Sequence, residues 1–318
     1  QSGIGDRITI TSNINYIRTN GGNTRNVDVR FIPRSIDIAA LKDYWVPSLE
    51  GYQQMNYRRS ANNPYFILYE NPFSYMDSKV IANITTNIDV TNHLNAIGRF
   101  GTNYTNNEYY DKHAYSTYTL AVPRDLDGYY KSGLSNTWDR TAEFLVSYNR
   151  KFFDALNVNA SFGGTHYRNE YKIIEGSTYE LSYVDIFNLN NRDGHIYVHD
   201  YISKYERNSL YGFLNLDYKG MVFLDMTRRD DWSSTLHPDN NHFSYPSVSL
   251  SAIITNVFEL PESITFWKVR GSIAQVGNDI PVPYYTVEDK YSFQTSSSGL
   301  TYLDVSEINT NPYLKPEV

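Results

Sequence analysis

Along residues 7–17, RITITSNINYI, one set of alternate positions holds Ile8, Ile10, Ile14 and Tyr16, and the other holds Arg7, Thr9, Thr11, Asn13 and Asn15. A period of two belongs to a β-strand, whose successive side chains point to opposite faces. The pattern recurs. Val80, Ala82, Ile84, Thr86, Ile88 and Val90 alternate with Ile81, Asn83, Thr85, Asn87 and Asp89, and after the short TNH connection Leu94, Ala96, Gly98 and Phe100 alternate with Asn95 and Arg99. Two such runs across a tight turn predict a hairpin. A second hairpin follows, in which Ala142, Phe144, Val146 and Tyr148 lead through KFFDA into Leu156, Val158, Ala160 and Phe162, each row interleaved with Asn, Ser or Glu. Further strand-like segments cover 114–122, 171–183, 194–203, 207–218, 221–229, 246–255, 265–275 and 284–294. The pattern therefore predicts an all-β chain of about a dozen antiparallel strands and no long helix, with a helical turn at 35–45.

An apolar row facing a dry core would make this a soluble β-sandwich; an apolar row facing hydrocarbon, with the polar row lining water, would make it a membrane barrel. Connection lengths bear on the choice. Turns 91–93, 150–154 and 219–220 are short, whereas 21–79, 123–136, 184–193, 230–245 and 295–318 are long and rich in Pro, Asn, Asp, Gly and Tyr. Compact soluble domains seldom carry a connection as long as the first, while outer-membrane barrels have short turns on one side and long loops on the other. The polar row is also largely Asn, Thr, Ser and Asp, which suits a hydrated lumen for neutral polar solutes.

Composition sharpens this. The 318 residues include 30 Tyr and 15 Phe, yet only 20% are charged and the mean hydropathy is −0.51. Neutral hydrogen-bonding groups thus supply most of the polarity. A net charge of −7 excludes a nucleic-acid partner, which demands a basic face. The absence of cysteine excludes disulfides, thiolate metal sites and cysteine nucleophiles. No apolar run of about 18 residues predicts a transmembrane helix, which leaves a barrel open because its strands alternate.

From Tyr211 the chain reads YGFLNLDYKGMVFLDMTRRDDWSSTLHPDNNHFSYPSVSLSAIITNVFELPESITFWKVRGSIAQVGND, and it ends near NPYLKPE. These segments resemble the SusC-like branch of TonB-dependent outer-membrane transporters. The resemblance rests on the Tyr-Lys-Gly turn at 217–220, the Arg-x-Asp loop with paired Ser at 228–234, the Tyr-Pro-Ser-Val-Ser re-entry at 245–249, the Lys-x-Arg-x-Ser strand at 268–272, the Gly-Asn loop at 277–279 and the motif at 311–317. Earlier, NNPYF at 62–66 and RTAEFLVSYNRKFFD at 140–154 are similar to family segments. Asp230, Asp231 and Trp232 precede the Ser pair where the commoner family loop has Asp-Gly-Ser-Ser, and this leaves the substrate class open.

The resemblance implies residues 1–318 to be part of one transmembrane β-barrel domain of about 22 strands, in the outer membrane of a Gram-negative, Bacteroidetes-like bacterium. The plug, TonB box and final strands are expected to lie outside this chain. It further implies active import of oligosaccharides or oligopeptides, a SusD-like surface lipoprotein as lid, and coupling to the TonB complex through the N-terminal region missing here. No cofactor, metal or enzyme activity is implied. A passive porin or surface adhesin, and a soluble β-sandwich carbohydrate-binding module, are the alternatives.

Candidate ligand or lid contacts are the run Arg228, Arg229, Asp230, Asp231 and Trp232, together with the loop aromatics Tyr129, Tyr130 and Trp138. The charged run also reads as a mutually paired rim, and the aromatics, with Tyr109, Tyr110 and Tyr115, as an interfacial girdle. His195 and His199, the HPDNNH loop, and Asp125 with Asp127 read as polar faces and turns in preference to metal sites. Ser233 and Ser234 have no base partner in the sequence, and no catalytic motif is present.

Overall fold

The computed structural model describes residues 2–22, 32–119, 124–277, 291–295 and 300–305, and positions 25, 27, 29, 311 and 313–315. Ten strands follow one another in an antiparallel sheet: β1 (Ser2–Ile4), β2 (Ile8–Gly22), β3 (Phe73–Asp89), β4 (Leu94–Thr119), β5 (Arg124–Phe152), β6 (Leu156–Tyr179), β7 (Ile196–Tyr218), β8 (Val222–Ser233), β9 (His242–Ile253) and β10 (Lys268–Ala274). Every strand pairs with its sequence neighbours, and β1 is not joined to β10 among the described residues. A separate ribbon pairs β11 (Tyr291–Thr295) with β12 (Thr301–Val305). The strand content matches the all-β expectation.

Directly opposite residues of an antiparallel ladder share a face. The register therefore aligns the apolar rows of successive strands: Ile8, Ile88, Ala96, Val146 and Phe162 in one row, and Leu94, Tyr148, Ala160, Leu214, Met226, Val248 and Ile273 in another. Together they make a continuous band with no second sheet against it among the described residues. Ile14, Phe144, Phe162 and Leu250 on that band are 74%, 44%, 53% and 54% exposed. A soluble sandwich would bury them, so that reading fails, and the exposed band is the lipid face of a barrel wall. On β4 the band runs from Leu94 to Tyr104. These ten steps of about 3.3 Å at about 45° tilt rise roughly 23 Å, the height of an outer-membrane apolar band. Aromatics mark both ends. Tyr148, Phe152 and Tyr218 sit beside the short turns, with Arg150 5.1 Å from the Phe152 ring and Lys219 5.5 Å from Tyr218. At the other end Tyr104 meets Trp138 edge-on, and the Arg140 guanidinium lies 4.0 Å from the Trp138 ring centre.

The wall extends well beyond the membrane. β4 to β7 are 26, 29, 24 and 23 residues long, whereas crossing takes about ten. Segments expected as separate strands therefore merge: 207–218 with 194–203 in β7, and 171–183 with the strand that begins at Leu156 in β6. The expected loop at 123–136 is strand from Arg124 onward, and 230–245 shortens to a connection at 234–241. The helical turn expected at 35–45 is a 3-10 turn, Ala39–Lys42. Residues 278–290 and positions 312, 316 and 317, parts of two recognised motifs, lie outside the described residues.

The 32–72 connection is folded. Helix α1 (Pro64–Glu70) starts at Asn63, whose side chain accepts from the backbone N–H of Tyr65 and Phe66 and donates to the carbonyls of Leu41 and Met55 at 2.9 and 3.1 Å. Phe66 is fully buried against Trp45, with ring centroids 5.2 Å apart. The Gln54 amide donates to the Ser116 carbonyl and Asn71 donates to Thr117 at 3.0 Å, so buried side-chain amides fasten this canopy to the top of β4. The 180–195 connection joins it there, since the Tyr115 hydroxyl donates to the Leu181 carbonyl while its ring meets Tyr52. A second short helix, α2 (Ile254–Val257), lies in the connection from β9 to β10.

Candidate lumenal surface

The face opposite the apolar band carries Asn13, Asn83, Arg99, Asn103, Asp139, Glu143, Asn159, Ser161, Tyr211, Asn215, Arg229 and Ser247, brought into line by the same register. Several of its charged groups are hydrogen-bonded within the face. Arg99 bonds Glu143 at 3.0 Å, and the other oxygen of Glu143 accepts from the Tyr211 hydroxyl at 2.6 Å. Arg229 bonds Asp231 at 2.8 Å and donates to Ser209 at 3.0 Å. Asp139 accepts from Tyr167 and from Asn169, both at 2.8 Å. Asn157 and Asn215 donate to Asp217 and Asp225 at 2.9 and 2.7 Å. Such a network sets amides and hydroxyls beside the carboxylates on the face opposite the apolar band.

Above the membrane the inner face turns aromatic. The Tyr109 hydroxyl donates to Glu175, which also pairs with Lys131 at 2.9 Å. Tyr109 can lie flat across β5 because Gly133 is beneath it; a Cβ there would meet the ring at 2.4 Å. Tyr211 crosses Gly163 in the same way on its path to Glu143. Tyr129, Tyr179 and Tyr197 form a cluster with ring centroids 4.8 and 5.8 Å apart. Arg25 reaches this wall from the canopy side, pairing with Asp111, which also lies 3.2 Å from His113. Burial opposes ionisation of Asp111, but the hydrogen bond and charge of His113, with Arg25, outweigh it and hold the carboxyl below its ordinary range.

The structure divides the residues expected as ligand or lid contacts. Strand alternation splits the 228–232 run: Arg229 and Asp231 face the lumen, whereas Arg228, Asp230 and Trp232 share the outer face with Leu210 and Asn208. The run is therefore not one site. Arg228 chelates Asp230 at 2.8 and 3.0 Å, and Trp232 stacks on His242 at 4.9 Å, both on the outside. Tyr129 faces inward, but Tyr130 faces outward toward Phe187, and Trp138 belongs to the outer aromatic girdle. Tyr197 and Tyr201 share the strand face expected for them with His199, and the lumenal tyrosines 167, 171 and 211 are not among the sequence candidates. Their common face depends on the register of β6 with β7. Among the described residues no group of three His, Asp or Glu could hold a metal ion.

No family model matches the chain. It is similar to the TonB-dependent receptor P26 of Formosa agariphila, 26% identical over 171 residues, which cover 52% of this chain and 17% of that protein. Among solved structures it superposes on the RagAB peptide importer in the closed-closed state with a TM-score of 0.78 and 17% identity, over 99% of this chain and 36% of that one. The open-open state of the same importer gives 0.74, with 99% and 35% covered. The chain thus spans about a third of the length of the solved structures and about a sixth of the receptor. By its fold the chain is similar to about a third of the importer structures, and by its sequence to part of a TonB-dependent receptor.

Proposed function

We propose that this segment forms part of the lumen and extracellular mouth of an energy-coupled importer for neutral, polar oligomers, oligosaccharides or oligopeptides. The observation that carries the reading is the inner face itself, where Arg99 pairs with Glu143 and Arg229 with Asp231, and amides, hydroxyls and tyrosines line much of the remaining surface. The solved relatives are described as peptide importers, which supports this size and polarity of cargo. The outer edges of the sheet would pair with further strands of a larger barrel, because backbone groups in lipid require partners. A SusD-like lipoprotein would close over the canopy, and the TonB complex would act through a plug; neither step alters a bond in the cargo. Arg229 and Tyr129 are the residues retained as cargo contacts; Asp231 is buried beneath the Arg229 that it pairs with.

The test is uptake by the full-length transporter in its own outer membrane. Cargo co-purified from that membrane is identified by mass spectrometry, then supplied labelled to cells with and without TonB function. Uptake lost without TonB supports the importer. Equal uptake in both strains would establish the passive-porin alternative.

A further inference from the structure

The outer face bears a feature that the lumenal reading does not use. Where the apolar band ends on β5 to β8, a groove of about 520 Å³ is lined by Ala142, Phe144, His166, Asn208, Leu210 and Trp232. Its floor is Gly164, where a Cβ would meet Phe144 at 2.7 Å and Leu210 at 2.9 Å. Being lipid-facing, the groove is open to an acyl chain.

Directly above it the register sets Arg140 opposite Arg168 and Arg168 opposite Glu206, with Trp138, Glu170 and Lys204 in the next row and Lys172 beyond. Four permanent cations, Arg140, Arg168, Lys172 and Lys204, thus surround two carboxylates, and His166 stands at the groove's edge. The carboxylates are shared. Glu170 lies 3.4 Å from Arg140 and 3.6 Å from Arg168, and Glu206 lies 3.9 Å from Arg168 and 3.5 Å from His166. Guanidinium groups held by long, shared contacts keep donors available for a phosphate, which they bind in planar, bidentate fashion. The excess positive charge lies at the height where lipid headgroups begin, and basic pockets at such levels select anionic headgroups.

We propose that this groove and its basic rim form a specific site for an outer-leaflet lipid with a phosphate-bearing headgroup. One acyl chain would lie along the groove against the Phe144 and Leu210 side chains that close over Gly164, and the phosphate would lie between Arg140, Arg168 and Lys204.

The experiment uses the full-length transporter purified in mild detergent and delipidated. It is exposed to monophosphoryl lipid A, its dephosphorylated counterpart, phosphatidylglycerol or phosphatidylcholine, and retained lipid is read by native mass spectrometry. Retention of monophosphoryl lipid A at least tenfold above its dephosphorylated form is expected. It should fall about tenfold in Arg168→Gln/Lys204→Gln and recover in Arg168→Lys/Lys204→Arg. These residues stand at headgroup height, outside the hydrocarbon, and unchanged heat-modifiable mobility will establish that the variants fold. Equal retention with and without the phosphate, or equal retention by the wild type and the Gln variant, would overturn the site. Retention of phosphatidylglycerol that follows the same variants would support it for phosphate headgroups generally.

Discussion

Ile84 lies at the middle of the β3 band, four residues from Val80 and four from Ile88, with Ser12 and Phe100 as cross-strand neighbours. Its side chain is 42% exposed, and on this face that surface meets acyl chains. A lysine at the midplane of an outer-membrane barrel costs about 2–4 kcal/mol, falling to about 0–1 kcal/mol near the interfaces. At about 1.4 kcal/mol per tenfold change, Ile84→Lys should shift the folding equilibrium roughly 30- to 700-fold toward the unfolded state. Ile88→Lys, at the end of the band beside the 90–93 turn, should shift it by less than about tenfold. Asn83→Lys, one residue away but in the lumen, should stay within about 0.5 kcal/mol, as ordinary exposed substitutions do. The measurement is urea titration of the full-length protein folded into lipid vesicles, followed by heat-modifiable electrophoretic mobility. The refuting result is equal loss at positions 83 and 84, or equal loss at 84 and 88. The first would remove the assignment of faces, and the second would remove the bilayer as the cause.

The canopy should be separable from the wall. Asn63→Ala removes the α1 cap and two further buried hydrogen bonds; a cap alone is worth about 1 kcal/mol, and the stranded Leu41 and Met55 carbonyls add to that. Limited proteolysis should then cut within 32–72 while the barrel keeps its heat-modifiable mobility; unchanged resistance would refute the anchoring role. Asp111 predicts an acid step. A carboxyl held below its ordinary value of about 4 stabilises fully above that value, and its contribution fades as pH falls through the lower folded-state value. Protease protection around Arg25 should therefore be constant from pH 7 to 5 and decline below about pH 4, whereas Asp111→Asn should lack both the protection and the step.

What the sequence could reveal followed from where the two faces of a strand meet different solvents. Within the membrane, hydrocarbon lies on one side and water on the other, so Ile84 and Asn83 differ in chemistry and their parity is legible by inspection. Beyond Tyr104 and Trp138 both faces are wet. The alternation fades there, which is why Arg124 onward reads as loop and why β7 reads as two strands. The canopy was unreadable for a related reason: its centre uses Gln54, Asn63 and Asn71, amides that a hydrophobic pattern scores as exposed although each is at most 2% accessible.

The 228–232 run shows the converse. Its residue types suggested one cluster, yet a strand period of two assigns Arg229 and Asp231 to water inside and Arg228 and Asp230 to the lipid boundary outside, where each pair satisfies itself two residues apart. Adjacent charges on a strand are therefore evidence for two surfaces, and the same rule separates Tyr129 from Tyr130. Cross-strand neighbours are what join a lumenal site together. Tyr109 over Gly133 reaching Glu175 on β6, and Tyr211 over Gly163 reaching Glu143 on β5, each link strands distant in sequence through a glycine that keeps the path clear. The cargo surface is thus a property of the register, and a one-residue slip of β6 against β7 would turn its tyrosines outward and its glycine-floored outer groove inward.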